Sequence, residues 1–146
     1  MQGRILAIDF GMKRFGLAVS DPLGLTAQGL PSLERREAEG GLSAVLKLVS
    51  QRGIEEIVIG NPVGKDGSGT VMSRRVAKLA ERLRRCSGCE VKLWDERLTS
   101  VEANRMLRSS GIGLEKRRRA VDRVAAVLLL QNYLDWRSYE RGLQVR

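Results

Sequence analysis

The chain has 146 residues, 42% of them hydrophobic and 29% charged, which is typical of a globular domain and excludes a disordered segment. Its formal net charge is +9, and it contains no histidine, which excludes Ser–His triads and histidine metal sites. The sequence has no apolar run long enough to cross a membrane and no signal-peptide pattern, so we expect one cytoplasmic domain over residues 1–146.

The excess positive charge lies in one part of the chain. Residues 1–60 contain seven Lys or Arg and seven Asp or Glu, whereas residues 61–146 contain nineteen and ten. A one-sided basic region indicates a polyanionic partner such as nucleic acid, although it also suits a surface that only keeps the protein in solution. Because 4% of the residues are aromatic, we expect binding through phosphates rather than by base stacking.

The first half of the chain predicts three strands and a helix. Apolar runs over residues 4–9 and 15–20 predict a β-hairpin, and an irregular third strand follows over 25–33. Four apolar residues then recur at helical spacing before Gly53, namely Leu42, Val45, Leu46 and Val49.

The second half predicts alternating strands and helices. Strands are expected over residues 54–60 and from Val91 to Asp95, with a helix between them whose apolar stripe includes Val76 and Leu83. Thr99 fits the cap of a further helix, residues 111–119 are predicted to form a basic loop, and a buried helix follows over 120–136. We therefore predict an α/β fold with a mixed five-stranded sheet, an antiparallel three-strand meander plus parallel strands, flanked by helices.

Three groups of acidic residues lie where a soluble surface would not place them. Asp9 ends the first strand, Asp95 and Glu96 end the last one, and Asp122 starts an apolar helix. A buried carboxylate is costly unless an arginine or a metal ion compensates it, so an ion pair is the alternative for any one of them. Within the hairpin, Gly11 could keep the backbone clear for a phosphate-bearing substrate.

Clustered carboxylates without histidine or cysteine suit Mg²⁺ or Mn²⁺, which prefer oxygen ligands. Two such ions about 4 Å apart assist phosphodiester hydrolysis without a histidine base. Cys86 and Cys89 form one C-x-x-C motif, which is too small for a zinc site within one chain and which follows a helix. These thiols are incidental, or they serve a redox role or a zinc site shared between chains.

Four segments together resemble the YqgF/RuvX family, bacterial proteins described as pre-16S rRNA nucleases and Holliday junction resolvases. These segments are Ile8–Asp21, Gly60–Pro62 with Asp66–Ser68, Asp95–Ser100 with Ala103, and Asp122–Leu134. They occur in order over nearly the full length. Two departures, Asn61 before Pro62 and Gly69 with Thr70 after Ser68, affect the loop but none of the three carboxylates.

The resemblance implies an RNase H-like fold and assigns roles to individual residues. Asp9, Glu96 and Asp122 would be the catalytic and metal-binding carboxylates, with Asp95 as a possible auxiliary. Substrate phosphates would meet Lys13 and Arg14 of the hairpin, while Arg97 would orient the site or serve the structure. The basic run Arg117, Arg118 and Arg119 is a further candidate for substrate binding.

These features favour a metal-dependent nuclease that matures the 5′ end of pre-16S rRNA. The alternatives are a Holliday junction resolvase and a non-catalytic nucleic-acid-binding factor in transcription or ribosome assembly. An actin-like ATPase or sugar kinase also opens on an Asp-x-Gly hairpin, but it needs a second subdomain. The expected partner is structured RNA or branched DNA and no membrane, and the chain could be a monomer or a homodimer.

Overall fold

The computed structural model describes residues 3–11, 14–34, 41–61, 71–95 and 114–145, with the backbone alone at 61, 71, 72, 95, 114–122 and 141–145. The strands are β1 (Arg4–Phe10), β2 (Arg14–Ser20), β3 (Ala27–Glu34), β4 (Ile54–Asn61) and β5 (Glu90–Asp95). The helices of this part of the chain are α1 (Leu42–Arg52), α2 (Val71–Ser87) and α3 (Leu114–Val145). The helix predicted to begin at Thr99 lies outside the described residues.

The five strands form one mixed sheet in the order β3-β2-β1-β4-β5. The β1–β2 and β2–β3 pairs are antiparallel, whereas β1–β4 and β4–β5 are parallel. The predicted α/β class and its mixed sheet, a meander followed by parallel strands, are therefore confirmed. Among the described helices, none is long and apolar enough to cross a membrane.

Helices cover both faces of the sheet because the side chains of each strand alternate between two cores. On one face, Leu6 and Ile8 of β1 pack with the buried stripes of α1 and α2. On the other face, Ile5 and Ala7 pack against α3, which contributes Ala126, Leu129, Leu130, Tyr133 and Leu134. Asp9 follows in the same alternation as Ile5 and Ala7, so it belongs to the α3 side of the sheet.

The last helix is longer at both ends than predicted. Residues 114–119, expected to form a loop, are the first turns of α3, and the helix continues beyond residue 136 to Val145. Consecutive cations oppose the dipole at a helix N-terminus, which favoured the loop interpretation. However, Leu, Glu, Lys and Arg all have high helix propensity, and Gly111 and Gly113 precede the segment. The basic run 117–119 is therefore helical.

Gly11 allows a close approach within the β1–β2 hairpin. Its backbone N–H donates to the carbonyl of Arg14 at 2.9 Å. A Cβ at position 11 would lie 2.6 Å from that same carbonyl oxygen, closer than real side chains approach backbone. The turn therefore requires glycine for the hairpin itself, a reason distinct from the predicted clearance for a phosphate. This turn sets the direction in which the chain leaves Asp9.

The other end of β2 is held by two polar residues, Ser20 and Asp21. The buried Ser20 hydroxyl accepts a hydrogen bond from the Ile5 N–H at 2.8 Å, where the register between β1 and β4 shifts. Asp21 accepts from the N–H groups of Leu25 and Thr26 at 2.7 and 2.9 Å. The bond from Thr26 is the main reason that the pKa of Asp21 is lowered. Both residues therefore act as structural parts of the hairpin.

A polar cluster ties α3 to β4 and β5. The Lys92 ammonium donates to the buried Tyr133 hydroxyl at 3.0 Å, and that hydroxyl donates to the Glu56 carboxylate. Arg137 and Lys92 lie 3.4 and 3.5 Å from Glu56. Trp94 packs edge-on against the Tyr133 ring, with 5.3 Å between centroids. Burial, followed by the bond to Glu56, raises the pKa of Tyr133, and the bond to Tyr133 raises the pKa of Lys92.

We expect this cluster to make the protein sensitive to alkaline pH. The folded chain holds protons on Tyr133 and Lys92 that the unfolded chain loses, so their stabilisation is complete below about pH 10 and decreases as pH rises through the folded values. Lys92 contributes less than its shift suggests, because its side chain is 41% exposed and water screens it.

The variant Tyr133→Phe tests this cluster. Loss of the hydroxyl removes one of the donors to Glu56, which keeps its contacts with Arg137 and Lys92. The substitution should cost about 1 kcal/mol at pH 7, which lowers Tm by about 3 °C. The difference in Tm from the unaltered protein should shrink between pH 9 and 11.5, because the variant lacks the titrating hydroxyl. Tyr139→Phe is the matched control, since Tyr139 is 66% exposed. An equal alkaline decrease in Tm for all three proteins would contradict the assignment.

Candidate active site

The three parallel strands end at one edge of the sheet. Ile8 of β1 lies in register with Ile59 of β4, so Asp9 is level with the end of β4. At the same edge Asn61 pairs with Asp95, the last residue of β5. Neighbouring strands are about 4.8 Å apart, which places the backbone of β5 about 10 Å from that of β1. Asp9 and the end of β5 therefore lie at the same edge of the sheet, close enough to contribute to one site.

Glycines flank Asp9 on both neighbouring strands. Gly16 is its direct partner on β2, and Gly60 occupies the next position after Ile59 on β4. Residues in one cross-strand row share a face of the sheet, so neither neighbour places a side chain beside Asp9. The Asp9 side chain is half-buried and has polar partners. This glycine pair leaves the sheet bare around one carboxylate, which suits a ligand that approaches from the α3 side.

Helix α3 crosses the strands of this face, with Arg123 beside β3 and Tyr133 beside β4 and β5. Near its middle, Gln131 donates to the carbonyl of Leu25 at 3.4 Å, in the turn beside the amino end of β1. Position 122 immediately precedes Arg123, whose side chain lies against Gly29 of β3, in the row that continues through Ala18 to Ala7. A helical period also places it on the stripe of Ala126 and Leu129, both buried against the sheet. The backbone at position 122 therefore lies on the face of the sheet to which Asp9 belongs.

The structure describes the predicted site residues to different extents. Asp9 and Arg14 lie at facing ends of the β1–β2 hairpin. Asp122 and the run 117–119 are described by their backbone alone, in α3. Asp95 ends β5, with its backbone alone described. Lys13, Glu96 and Arg97 lie outside the described residues, although Glu96 is covalently the next residue after Asp95.

The candidate donors are all carboxylate oxygens. Asp9, Glu96 and Asp122 match the chemistry of a hard divalent cation, and no histidine exists anywhere in the chain to offer nitrogen. Among the described residues alone, no group of three or more potential ligands gathers at one place. The two cysteines are free thiols, with Cys86 exposed and Cys89 half-buried at the start of β5, at the opposite edge of the sheet.

Sequence reasoning missed the role of Gly16 and Gly60. Each glycine is visible as an interruption of an apolar strand, which is a weak sign of a close approach. Their common relation to Asp9 depends on strand register, and the register between β1 and β4 connects residues fifty positions apart. The sequence alone contains no local signal for that pairing.

The sheet order, the helices on both faces and the carboxylate at the end of β1 define an RNase H-like fold. Two solved structures share it at low sequence identity. Thermus thermophilus RuvC in complex with a Holliday junction matches with a TM-score of 0.56 and 14% identity, over 94% of this chain and 96% of RuvC. The fowlpox virus resolvase in complex with junction DNA matches with a TM-score of 0.57 and 12% identity, over 90% and 97% of the two chains.

Sequence comparison identifies the family. The family model described as RuvX, Holliday junction resolvase, matches residues 3–136. A relative from Koribacter versatilis, named "Putative pre-16S rRNA nuclease", is 47% identical over 97% of this chain and 92% of its own length. The chain therefore belongs to the RuvX family, as its four segments predicted, and it is a nuclease, a hydrolase that acts on phosphodiester bonds. This membership sets aside the sugar-kinase alternative.

Proposed function

We propose that this chain is a metal-dependent nuclease of the cytoplasm that matures the 5′ end of pre-16S rRNA. The observation that carries the proposal is the position of Asp9 between two glycines, at the edge where β1, β4 and β5 all end. The naming of a relative that is 47% identical over almost the full length supports rRNA as the substrate.

Asp9, Glu96 and Asp122 are the residues that would hold the cation, as ligands and catalytic residues. Bound Mg²⁺ or Mn²⁺, as one ion or a pair, would supply Lewis-acid stabilisation of the scissile phosphate and a water of lowered pKa. The chain itself provides three carboxylates from separate parts of its sequence, whose mutual repulsion is relieved when a cation is bound. This arrangement accounts for hydrolysis in a protein without histidine.

The cations around this edge would position the nucleic acid. Lys13 and Arg14 belong to the hairpin that follows Asp9, and Arg97 follows Glu96 in the chain. Arg117, Arg118 and Arg119 are in the first two turns of α3, upstream of Asp122 on the same helix. Phosphate contacts of this kind fix the register of a substrate without reading its sequence.

Junction resolution is the second candidate function. The family description and the two structural neighbours with junction DNA favour it. A resolvase cuts two strands related by a two-fold axis, so this function requires a symmetric dimer, whereas trimming one RNA end requires one site. The alternative of a non-catalytic factor predicts nucleic-acid binding without cleavage.

A cleavage assay on three substrates separates these functions. The purified chain is incubated with a pre-16S rRNA fragment carrying its 5′ extension, with unstructured RNA and with a four-way DNA junction, each in Mg²⁺, Mn²⁺ or EDTA. We expect cleavage of the precursor at least tenfold faster than of the other two substrates, and none in EDTA. Faster cleavage of the junction by a dimer would instead establish a resolvase. Binding without metal-dependent cleavage of any substrate would overturn both enzymatic functions.

A further inference from the structure

Helix α2 presents a strongly basic outer face. Its buried stripe consists of Val76, Leu79, Ala80 and Leu83, which pack on the face of the sheet opposite α3. The helix has six cations and one carboxylate, Glu81. Glu81 lies 3.6 Å from Arg84 and 3.5 Å from Arg85, so it forms ion pairs with those two.

The other four cations of α2 are exposed and form no ion pair within the described part of the chain. We call them the α2 cationic row; its members are Arg74, Arg75, Lys78 and Arg82. At 100° per residue they fall within an arc of about 100° on the outer side of the helix. The row extends about 12 Å along the helix axis, since eight residues separate its ends.

The amino end of this row is placed against the helix dipole. Arg74 lies in the first turn of α2, which contains no acidic residue. Cations near a helix N-terminus are unfavourable, and acidic residues are the stabilising choice there. A bound anion would relieve the repulsion between the arginines and the backbone N–H groups of the first turn. Binding of a phosphate at this end would therefore stabilise the helix relative to its unbound state.

The direction of α2 connects the row to the active-site edge. Near its carboxyl end, Arg84 donates to the carbonyl of Val91, the second residue of β5, at 2.9 Å. Because β4 and β5 are parallel, a helix that ends beside the start of β5 begins toward the edge where β4 ends. That edge also holds Asp9. The row therefore begins near the carboxyl edge of the sheet. It runs away from that edge on the face opposite to α3.

We propose that the α2 cationic row binds the phosphates of a double-stranded RNA segment that flanks the cleavage point. The inference rests on the proposed function and adds a second contact surface, remote from the reacting phosphate. A straight row of cations matches the straight backbone of a rigid duplex, which would lie on the α2 face and continue as an unpaired strand over the carboxyl edge to Asp9. A-form RNA is recognised through phosphates and sugars rather than base edges, which fits a surface with no aromatic side chain.

The test compares two pairs of alanine substitutions. The variant Lys78→Ala with Arg82→Ala removes half of the row. The matched control, Lys47→Ala with Arg52→Ala, removes two exposed cations from α1, which packs on the same side of the sheet. Binding of a precursor fragment with a flanking duplex, and of the same fragment without it, is measured by fluorescence anisotropy in EDTA at several salt concentrations.

We expect the row variant to bind the duplex-containing fragment about tenfold more weakly, with a salt dependence that is smaller by about 1.5 in log–log slope. The control variant should keep the slope of the unaltered protein, and neither variant should change binding of the fragment without a duplex. Equal slopes for the row variant and the control would overturn the proposal. Because EDTA prevents cleavage, this result is independent of the cleavage assay, whose failure would count against the proposed function instead.

Discussion

Replacement of Asp9 by Asn should reduce cleavage of the rRNA precursor at least a thousandfold, which corresponds to about 4 kcal/mol of transition-state stabilisation. The amide keeps the size of the side chain but removes the charge that a divalent cation needs. Binding of the RNA should stay the same or become tighter, because a negative charge beside the phosphates is lost. Single-turnover cleavage in Mg²⁺ and anisotropy in EDTA measure the two effects separately.

The control for this substitution is Asp135→Asn. Asp135 is an exposed carboxylate of α3 that accepts a hydrogen bond from Gln131 at 3.0 Å, thirteen residues along the helix from Asp122. The same chemical change there should leave the cleavage rate within twofold. If Asp9→Asn cleaves as fast as the control, Asp9 is not a ligand of the catalytic metal ion. Its position between two glycines would then have only a structural role in the hairpin.

The second large effect is the loss of cleavage when Glu96 or Asp122 is replaced. Glu96→Gln and Asp122→Asn should each lower the cleavage rate at least a hundredfold. The double variant should lose little more than the worse single variant, because residues that act through one bound ion are not additive. Single-turnover rates for the two single variants and the double variant provide this comparison. Their thermal unfolding should stay within a few degrees of the unaltered protein, since paired carboxylates repel one another without the ion.

Multiplicative losses would contradict this account. If the double variant lost the product of the two single effects, Glu96 and Asp122 would act independently at separate places. That result would show that Glu96 and Asp122 do not bind one shared metal ion. It would leave Asp9 as the one active-site carboxylate of the hairpin.

Local patterns were sufficient to predict most of the fold. The alternation of β1 and β2 and the helical spacing of α1 are carried by neighbouring residues, so their positions agree with the structure to within one or two residues. The predicted bounds of the final helix were wrong at both ends, for electrostatic and compositional reasons. Arg117–Arg119 oppose the helix dipole, and the sequence after Trp136 is mostly polar, yet propensity continues the helix through both.

The active site was predictable only as a set of residue types. An Asp at the end of an apolar strand is unusual enough to be noticed, as Asp9 was. The neighbours Gly16 and Gly60 acquire meaning only once two strand registers are known, one of them across a parallel crossover. The same holds for α2, whose cations are visible in the sequence although their direction relative to Asp9 depends on the path from β4 to β5.

Direct titration with Mn²⁺, followed by electron paramagnetic resonance of the free ion, tests the central claim without any choice of substrate. The unaltered protein and Asp135→Asn should remove Mn²⁺ from solution with the same affinity, and Asp9→Asn should bind it at least tenfold more weakly. Equal Mn²⁺ binding by all three proteins would show that Asp9 contributes nothing to a metal site, and the carboxylate mechanism proposed for this edge of the sheet would be wrong.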